Sequence, residues 1–332
     1  MKKLFFMAVM AGVALAGCTK NEPAPSVDAQ QEITFMTAPL TKVADAFDTD
    51  NVFESWAFYT PTDWATDQST AAVPYGNLSD KLIKWDGTNS KWWNNVGVGA
   101  EVFYWPKAGK LTFFSYSLNS ANTNDAVQCN TEKGIYVAGY NVNTNKNVDF
   151  LVADIAKDKT ANESYASLNG VPTLFRHKLS NVVFTIQTTA DYTATKSFEL
   201  KSITLKNLAV QADYRQLGTE GWSNYGTDAA STTFSSTATP FTKAGATPVA
   251  DQSLYMPQTF DADAKVEVVY TVKSGSAVEN VTVEKKLNEL FTSGWAMGTK
   301  YTCAIKVSLN EILWAPAVEQ WSPATGADFA IN

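Results

Sequence analysis

Hydrophobic positions in this chain come in short bursts separated by polar punctuation. ITFM (33–36), NVFESWAFYT (51–60), EVFYWP (101–106), LTFFSYSL (111–118), GIYVAGY (134–140) and DFLVAD (149–154) are rich in β-branched and aromatic residues. Clusters of Asn, Gly, Ser, Asp and Pro such as WDGTNSKWWNN divide them, and this pattern predicts an all-β chain. The second half alternates more cleanly. KVEVVYTVK (265–273) puts Val266, Val268, Tyr270 and Val272 on one face, and VTVEKKL (281–287) is predicted to pair with it as a hairpin across Ser274-Gly275-Ser276. SFELKSITLK (197–206) changes phase, because Phe198 and Leu200 share one parity while Ile203 and Leu205 share the other. A β-bulge near Lys201 or Ser202 accounts for the change. In YTCAIKVSL (301–309), Tyr301, Cys303, Ile305, Val307 and Leu309 take one face, which predicts a buried, inert Cys303 thiol. Helical periodicity is weak everywhere: PLTKVADAF (39–47) is the best candidate, and LNELF (287–291) suits a single turn. The Ser/Thr/Ala-rich stretch from Gly226 to Gly245 reads as a long surface loop around one short strand at Thr233.

The first residues follow a different rule. MKKLFFMAVMAGVALAGC carries two lysines and then an apolar run from Leu4 to Ala16, too short to span a bilayer as a stable helix, so residues 1–17 read as a signal peptide. The run ends in Leu15-Ala16-Gly17-Cys18, which resembles the lipobox of bacterial lipoproteins, with the Cys18 thiol as the site that takes the diacylglycerol. Residues 18–31, polar and with two prolines, form a lipidated tether able to hold a domain about 40 Å from the membrane. What remains exceeds one compact β-domain of about 100 residues and suits two of about 150. We divide it into domains at 32–172 and 173–332, the break falling between Asp154 and Arg176.

Composition narrows the chemistry. A net charge of −7 offers no basic surface for nucleic acid, and beyond the signal no apolar run reaches membrane-spanning length. After lipidation two cysteines are left, Cys129 and Cys303, which is no disulfide framework. The sequence contains no G-x-S-x-G, no metal-spaced His or Cys set and no phosphate-binding loop, so no enzyme, metal or cofactor is expected. Asp48 and Asp50, like Asp261 and Asp263, read as turn residues rather than paired catalytic carboxylates. The single histidine, His177, shares parity with Phe175 and Leu179, while Val182, Phe184 and Ile186 point to the main core. It is expected to be a structural, partly buried residue whose ring nitrogens bond nearby backbone. Ten tryptophans leave a second functional class open, in which Trp85, Trp92 and Trp93 form an exposed platform for sugars.

Five stretches taken in order carry a resemblance: FYWPKAGKLTFFSYS (103–117), VDFLVAD (148–154), LFRHKLSNVVFTI (174–186), LYMPQ (254–258) and GWAMGTKYTCAIKVSL (294–309). Together they resemble the fimbrillin family of Bacteroides-type bacteria, the Mfa-like fimbrial lipoproteins. The resemblance implies two transthyretin-like β-sandwich domains, export as an outer-membrane lipoprotein, and partnership with other fimbrial subunits through β-strand donation, in service of adhesion to a receptor that the sequence does not identify. The segments expected to exchange are the first strand, with Ile33 and Phe35, and the tail, with Ile312 and Trp314. One departure stands out, since Pro316 and Pro323 interrupt a tail that in stalk subunits forms strand. Cys18→Ala is expected to move the protein from the membrane fraction to the soluble fraction of the cell envelope, and unchanged membrane retention would refute lipidation at that residue.

Overall fold

The computed structural model describes residues 31–37, 47–94, 100–118, 126–161, 170–226, 229–234, 238–246, 252–309 and 311–321. Its described residues are almost entirely β, arranged in four sheets. The largest has Phe53–Thr60 and Lys110–Ser117 side by side near its middle, paired antiparallel from Glu54↔Tyr116 to Thr60↔Lys110. Both strands are buried on both faces, which is why their sequences read as near-continuous apolar runs rather than alternating ones. One face carries Phe53, Ala57, Leu111 and Phe113 into a core shared with Phe35, Trp92 and Phe175. The other carries Trp56, Phe58, Phe114 and Tyr116 into a core shared with Ile135, Val137, Phe150 and Tyr214. Polar side chains in these strands are satisfied in place. The Tyr116 hydroxyl donates to Glu54 at 2.6 Å, and Ser117 donates to the Val52 carbonyl at 2.6 Å.

The second core is roofed by a four-stranded sheet of Gln128–Asn130, Gly134–Asn141, Gln211–Arg215 and Gly221–Ser223. Strand pairing therefore crosses residue 172. Phe175–His177 also pairs backwards, with Leu151–Ala153, and Gln211–Arg215 pairs with Gly134–Asn141. The link between the two regions is covalent and short. Ser197–Ala209 belongs to the C-terminal sandwich, Val210 is buried in the other core, and Gln211 starts the strand that covers the first half.

That C-terminal sandwich stacks a sheet of Leu254–Tyr255, Ser180–Thr188, Thr299–Val307 and Ile312–Gln320 on one built from Ala229–Phe234, Ser197–Ala209, Lys265–Ser274 and Ala277–Lys286. Here Ser180–Thr188 and Thr299–Val307 each have one buried face, and their sequences alternate accordingly. The hairpin pairs Lys265–Ser274 with Ala277–Lys286, longer than expected by four residues, and the register shift lies between Leu200 and Ser202 as the change of phase requires. Leu287–Leu290 forms its one helical turn. The candidate helix at 39–47 lies outside the described residues apart from Phe47, which stacks on Phe175. Three expectations need correcting. Residues 101–106 form no strand, only a bridge between Tyr104 and Glu32, because Pro106 lacks a donor and the N-terminal segment takes the neighbouring backbone. The stretch 226–245 holds two strands, the second being Thr239–Phe241, whose Phe241 packs on Phe198 and Tyr270. Leu309 falls beyond the end of its strand and is exposed.

Residues 33–36 are threaded into the first core. Phe35 and Met36 pair in parallel with Val171 and Pro172 on one side, and Phe35 pairs with Trp92 on the other. Gly170 makes this insertion possible. Its φ is +141°, and a Cβ there would meet the Phe35 carbonyl carbon at 2.9 Å and the Thr34 oxygen at 3.0 Å. Gly170→Ala is expected to lower stability by about 1–3 kcal/mol through backbone strain and this close contact, read as a lower denaturation midpoint with an unchanged slope.

Candidate functional site

Where the two halves meet, the segment from Leu174 to Ser180 passes from one sheet system to the other with almost every residue buried. Phe175 enters the first core, Leu179 the second and Val182 the third, so a few residues touch all three. His177 lies in the middle of this passage. Its Nδ1 is 2.5 Å from Asp149 Oδ2, and the two side chains are only 4% and 7% exposed. The Trp321 ring lies parallel to the imidazole, with centroids 3.5 Å apart and an 8° interplanar angle. Gly298 allows the approach: its N–H donates to the Leu179 carbonyl, its own carbonyl accepts from Trp321 N–H, and a Cβ there would be 3.1 Å from the His177 oxygen. Next along the chain, Lys178 is ion-paired to Glu220 at 2.7 Å, Glu220 accepts from the Tyr214 hydroxyl, and the Lys178 carbonyl accepts from Trp222 Nε1.

The histidine is more fully buried than expected, and its partner is a carboxylate rather than backbone. Two atoms of the pair stay unmatched, since His177 Nε2 and Asp149 Oδ1 are buried without a hydrogen-bond partner among the described residues. Each such atom costs about 1–3 kcal/mol relative to its hydrated state. Trp321 stacks on the ring, and among the described residues the pair is closed off from solvent.

The two chain ends are held by different means. Ile33 and Phe35 are buried among aromatic rings, with Phe35 edge-on to Phe53 and Phe113 at 5.5 and 5.7 Å. The tail instead forms an edge strand, Ile312–Gln320, paired residue for residue with Thr299–Val307. Pro316 does not interrupt it, because an edge position tolerates a missing donor. Ile312 and Trp314 touch the sandwich core, but further along Pro316 and Val318, which point the same way, are exposed, Val318 by 63%. The facing sheet does not reach over them. Cys18 and the tether to residue 30 lie outside the described residues.

The three tryptophans of the alternative sugar platform are not exposed together. Trp92 is 4% exposed in the first core and Trp93 7%, and the Lys91 ammonium sits 3.2 Å from the Trp93 ring centroid while the indole donates to Asp86. Half-buried Trp85 leans on Trp92, with ring centroids 5.6 Å apart. The hairpin Lys81–Trp93 turns these rings inward because they fill the space beside the N-terminal strand. Cys129 and Cys303 are separate free thiols, in the second core and the sandwich core respectively, and burial pushes Cys303 up to about 12. Asp261 caps its own turn by accepting from the Asp263 and Ala264 amides. Among the described residues no cluster of His, Cys, Asp or Glu has the makings of a metal site.

Sequence and fold comparisons agree on one relationship. The model of a family described as fimbrillin-like matches residues 41–321. A fimbrial protein from Bacteroides vulgatus ATCC 8482 superposes with a TM-score of 0.60 at 16% identity, covering 88% of this chain and 100% of the other. A protein described as a candidate cell adhesion protein, from Bacteroides uniformis ATCC 8492, superposes at 0.57 with 15% identity over 89% of this chain and 100% of its own. A similarly described protein from Bacteroides ovatus ATCC 8483 reaches 0.50 at 14% identity, covering 88% and 98%. No curated protein matches the sequence. These identities establish a shared fold.

Replacing Trp92 by Ala is expected to cost about 3–5 kcal/mol of stability, as for other buried aromatics, measured by chemical denaturation. A variant as stable as the parent would show that the ring is not the core element its burial implies.

Proposed function

This chain belongs to the fimbrillin-like family, a family of cell-surface fimbrial subunits, and from that membership we propose that it is a non-enzymatic, lipid-anchored subunit that joins its neighbours by strand donation and serves adhesion, as an anchor or accessory rather than a bulk stalk component. The observation that carries the assignment is the seated N-terminal strand. A subunit that extends a fibre in both directions has to open a groove, and in the family pattern that groove opens when the first strand is cut away after an arginine. In this chain the arginines are Arg176 and Arg215, and none stands between Cys18 and Asp154. Arg176 is in a strand and ion-paired to Asp154, and Arg215 is in a strand with its Nε donating to the Leu217 carbonyl. Neither offers a cut that would release residues 33–36. With Phe35 retained between Trp92 and Val171, the acceptor groove stays filled and the lipid stays attached.

Such a subunit ends or anchors a fibre through its C-terminal edge, where Ile312 and Trp314 sit on a strand with one side unpaired among the described residues. A division into two sandwich units suits this role, with the membrane-proximal half fixed by the tether and the distal half presenting that edge. Burial of Trp92 and Trp93 withdraws the support for the sugar-platform alternative. Intact-mass measurement and N-terminal sequencing of protein from the native cell surface are expected to find a lipidated chain starting at Cys18. A chain starting beyond residue 36, recovered in SDS-resistant ladders, would overturn the assignment. A lysine-directed cut at Lys42 is the route by which that outcome would arise.

A further inference from the structure

We infer that Trp321, closing over the His177–Asp149 pair, is the catch that holds the C-terminal strand on its own chain, and that opening this catch is the step that frees the strand for a partner subunit. The first half of the inference stands on the geometry alone, and the second rests on the strand-donation reading above. From Ala315 to Gln320 the strand has no buried side chain, so that stretch is held by the ladder to Thr299–Ala304, by the exposed Lys300–Glu319 ion pair at 3.3 Å, and by whatever fixes its far end. Trp321 is what fixes it. The indole lies flat on His177 at 3.5 Å, its backbone N–H donates to the Gly298 carbonyl at 3.2 Å, and the ring is buried in the core between the halves. Lifting the ring releases the last half of the strand as a unit.

The pair beneath the ring makes the closed state metastable. In the closed form His177 Nε2 and Asp149 Oδ1 have no partner among the described residues, and once Trp321 lifts, water reaches both. The gain in hydration offsets part of the lost stacking. An apolar pair of similar shape would hold the indole more tightly, since it would have nothing to gain from water.

Hydrogen exchange of the full-length monomer, followed by mass spectrometry on peptides covering 312–320, tests the catch directly. Trp321→Ala is expected to speed exchange there by about tenfold or more, while Trp321→Phe, which keeps a stacked ring, stays close to the parent. The double variant His177→Phe with Asp149→Leu is expected to slow it. Peptides covering 53–60 and 110–117 report whether a variant has loosened the whole fold. Unchanged exchange at 312–320 in Trp321→Ala, or an equal rise in all three regions, would overturn the inference, as would faster exchange at 312–320 in the double variant. Assembly is a separate arm, in which the same proteins are mixed with a copy truncated after Asn310. Faster formation of SDS-stable oligomers by Trp321→Ala supports the link to donation. Faster exchange with no oligomers from any variant leaves the catch standing and rejects the strand-donation reading.

Discussion

Burial of two neighbouring strands on both faces sets the terms for the whole molecule. Phe53–Thr60 and Lys110–Ser117 have no solvent side, so the sheet they centre needs cover above and below. Each large apolar side chain placed there contributes about 1.5–3 kcal/mol, and the gain is realised only if both covers are in place. One cover comes from far along the chain: Gln211–Arg215 and its hairpin partner, which place Tyr214 and Trp222 around Phe150. The other comes from the N-terminal strand, from Trp92, and from Phe47 stacked on Phe175 at 4.5 Å. The halves are therefore not independent beads. The first cannot complete its second core until the strand leaving the C-terminal sandwich has been laid across it.

The same constraint makes the two chain ends unequal. Phe35 contacts Phe53 and Phe113 inside the first core, so withdrawing it loses side-chain burial and leaves a cavity. Ile312–Gln320 loses chiefly backbone hydrogen bonds, which a second chain can replace in kind. Exchange at the C-terminal edge is nearly isoenergetic in its main-chain terms, whereas exchange at the N-terminal strand requires a partner that brings its own aromatic anchor. The two ends of the chain thus differ in what holds them, side-chain burial at one and main-chain pairing at the other.

How far the sequence discloses this follows from which faces are wet. In the C-terminal sandwich Lys265–Ser274 has one buried face, so Val266, Val268 and Tyr270 mark their strand by alternation, and the slip in phase at SFELKSITLK reveals the bulge. The central strands were legible as strands but not as a middle layer, because burial on both faces erases the period that would have placed them. The return of Gln211–Arg215 to the first half was illegible for a related reason. QADYR alternates as well as any one-faced strand, and nothing in its own composition says which sheet it joins. Trp92 and Trp93 misled because a tryptophan near a Gly-Asn-Ser turn looks the same whether it faces solvent or a core. The burial of His177 was legible from its apolar neighbours, but its partner Asp149 lies 28 residues upstream in VDFLVAD and is identified only by the pairing of Leu151–Ala153 with Phe175–His177.

A buried polar pair at the junction also answers a problem that apolar packing leaves open, which is register. Slipping Ile312–Gln320 by one residue would turn Ile312 and Trp314 outward, and the sandwich core excludes that error. A slip of two residues keeps the same faces inward and puts Trp314 where either Ile312 or Pro316 now sits, so the core penalises it weakly. The near end opposes it through the Ser308 amide, which donates to the Glu311 carbonyl, and the Ser308 hydroxyl, which accepts from the Glu311 amide; the far end opposes it as well. After such a slip the Trp321 ring no longer lies over His177, its N–H no longer meets the Gly298 carbonyl, and the pair with Asp149 loses its lid. Register over nine residues is thus fixed at both ends of the strand, by the Ser308–Glu311 hydrogen bonds where it begins and by the flat Trp321–His177 contact where it ends.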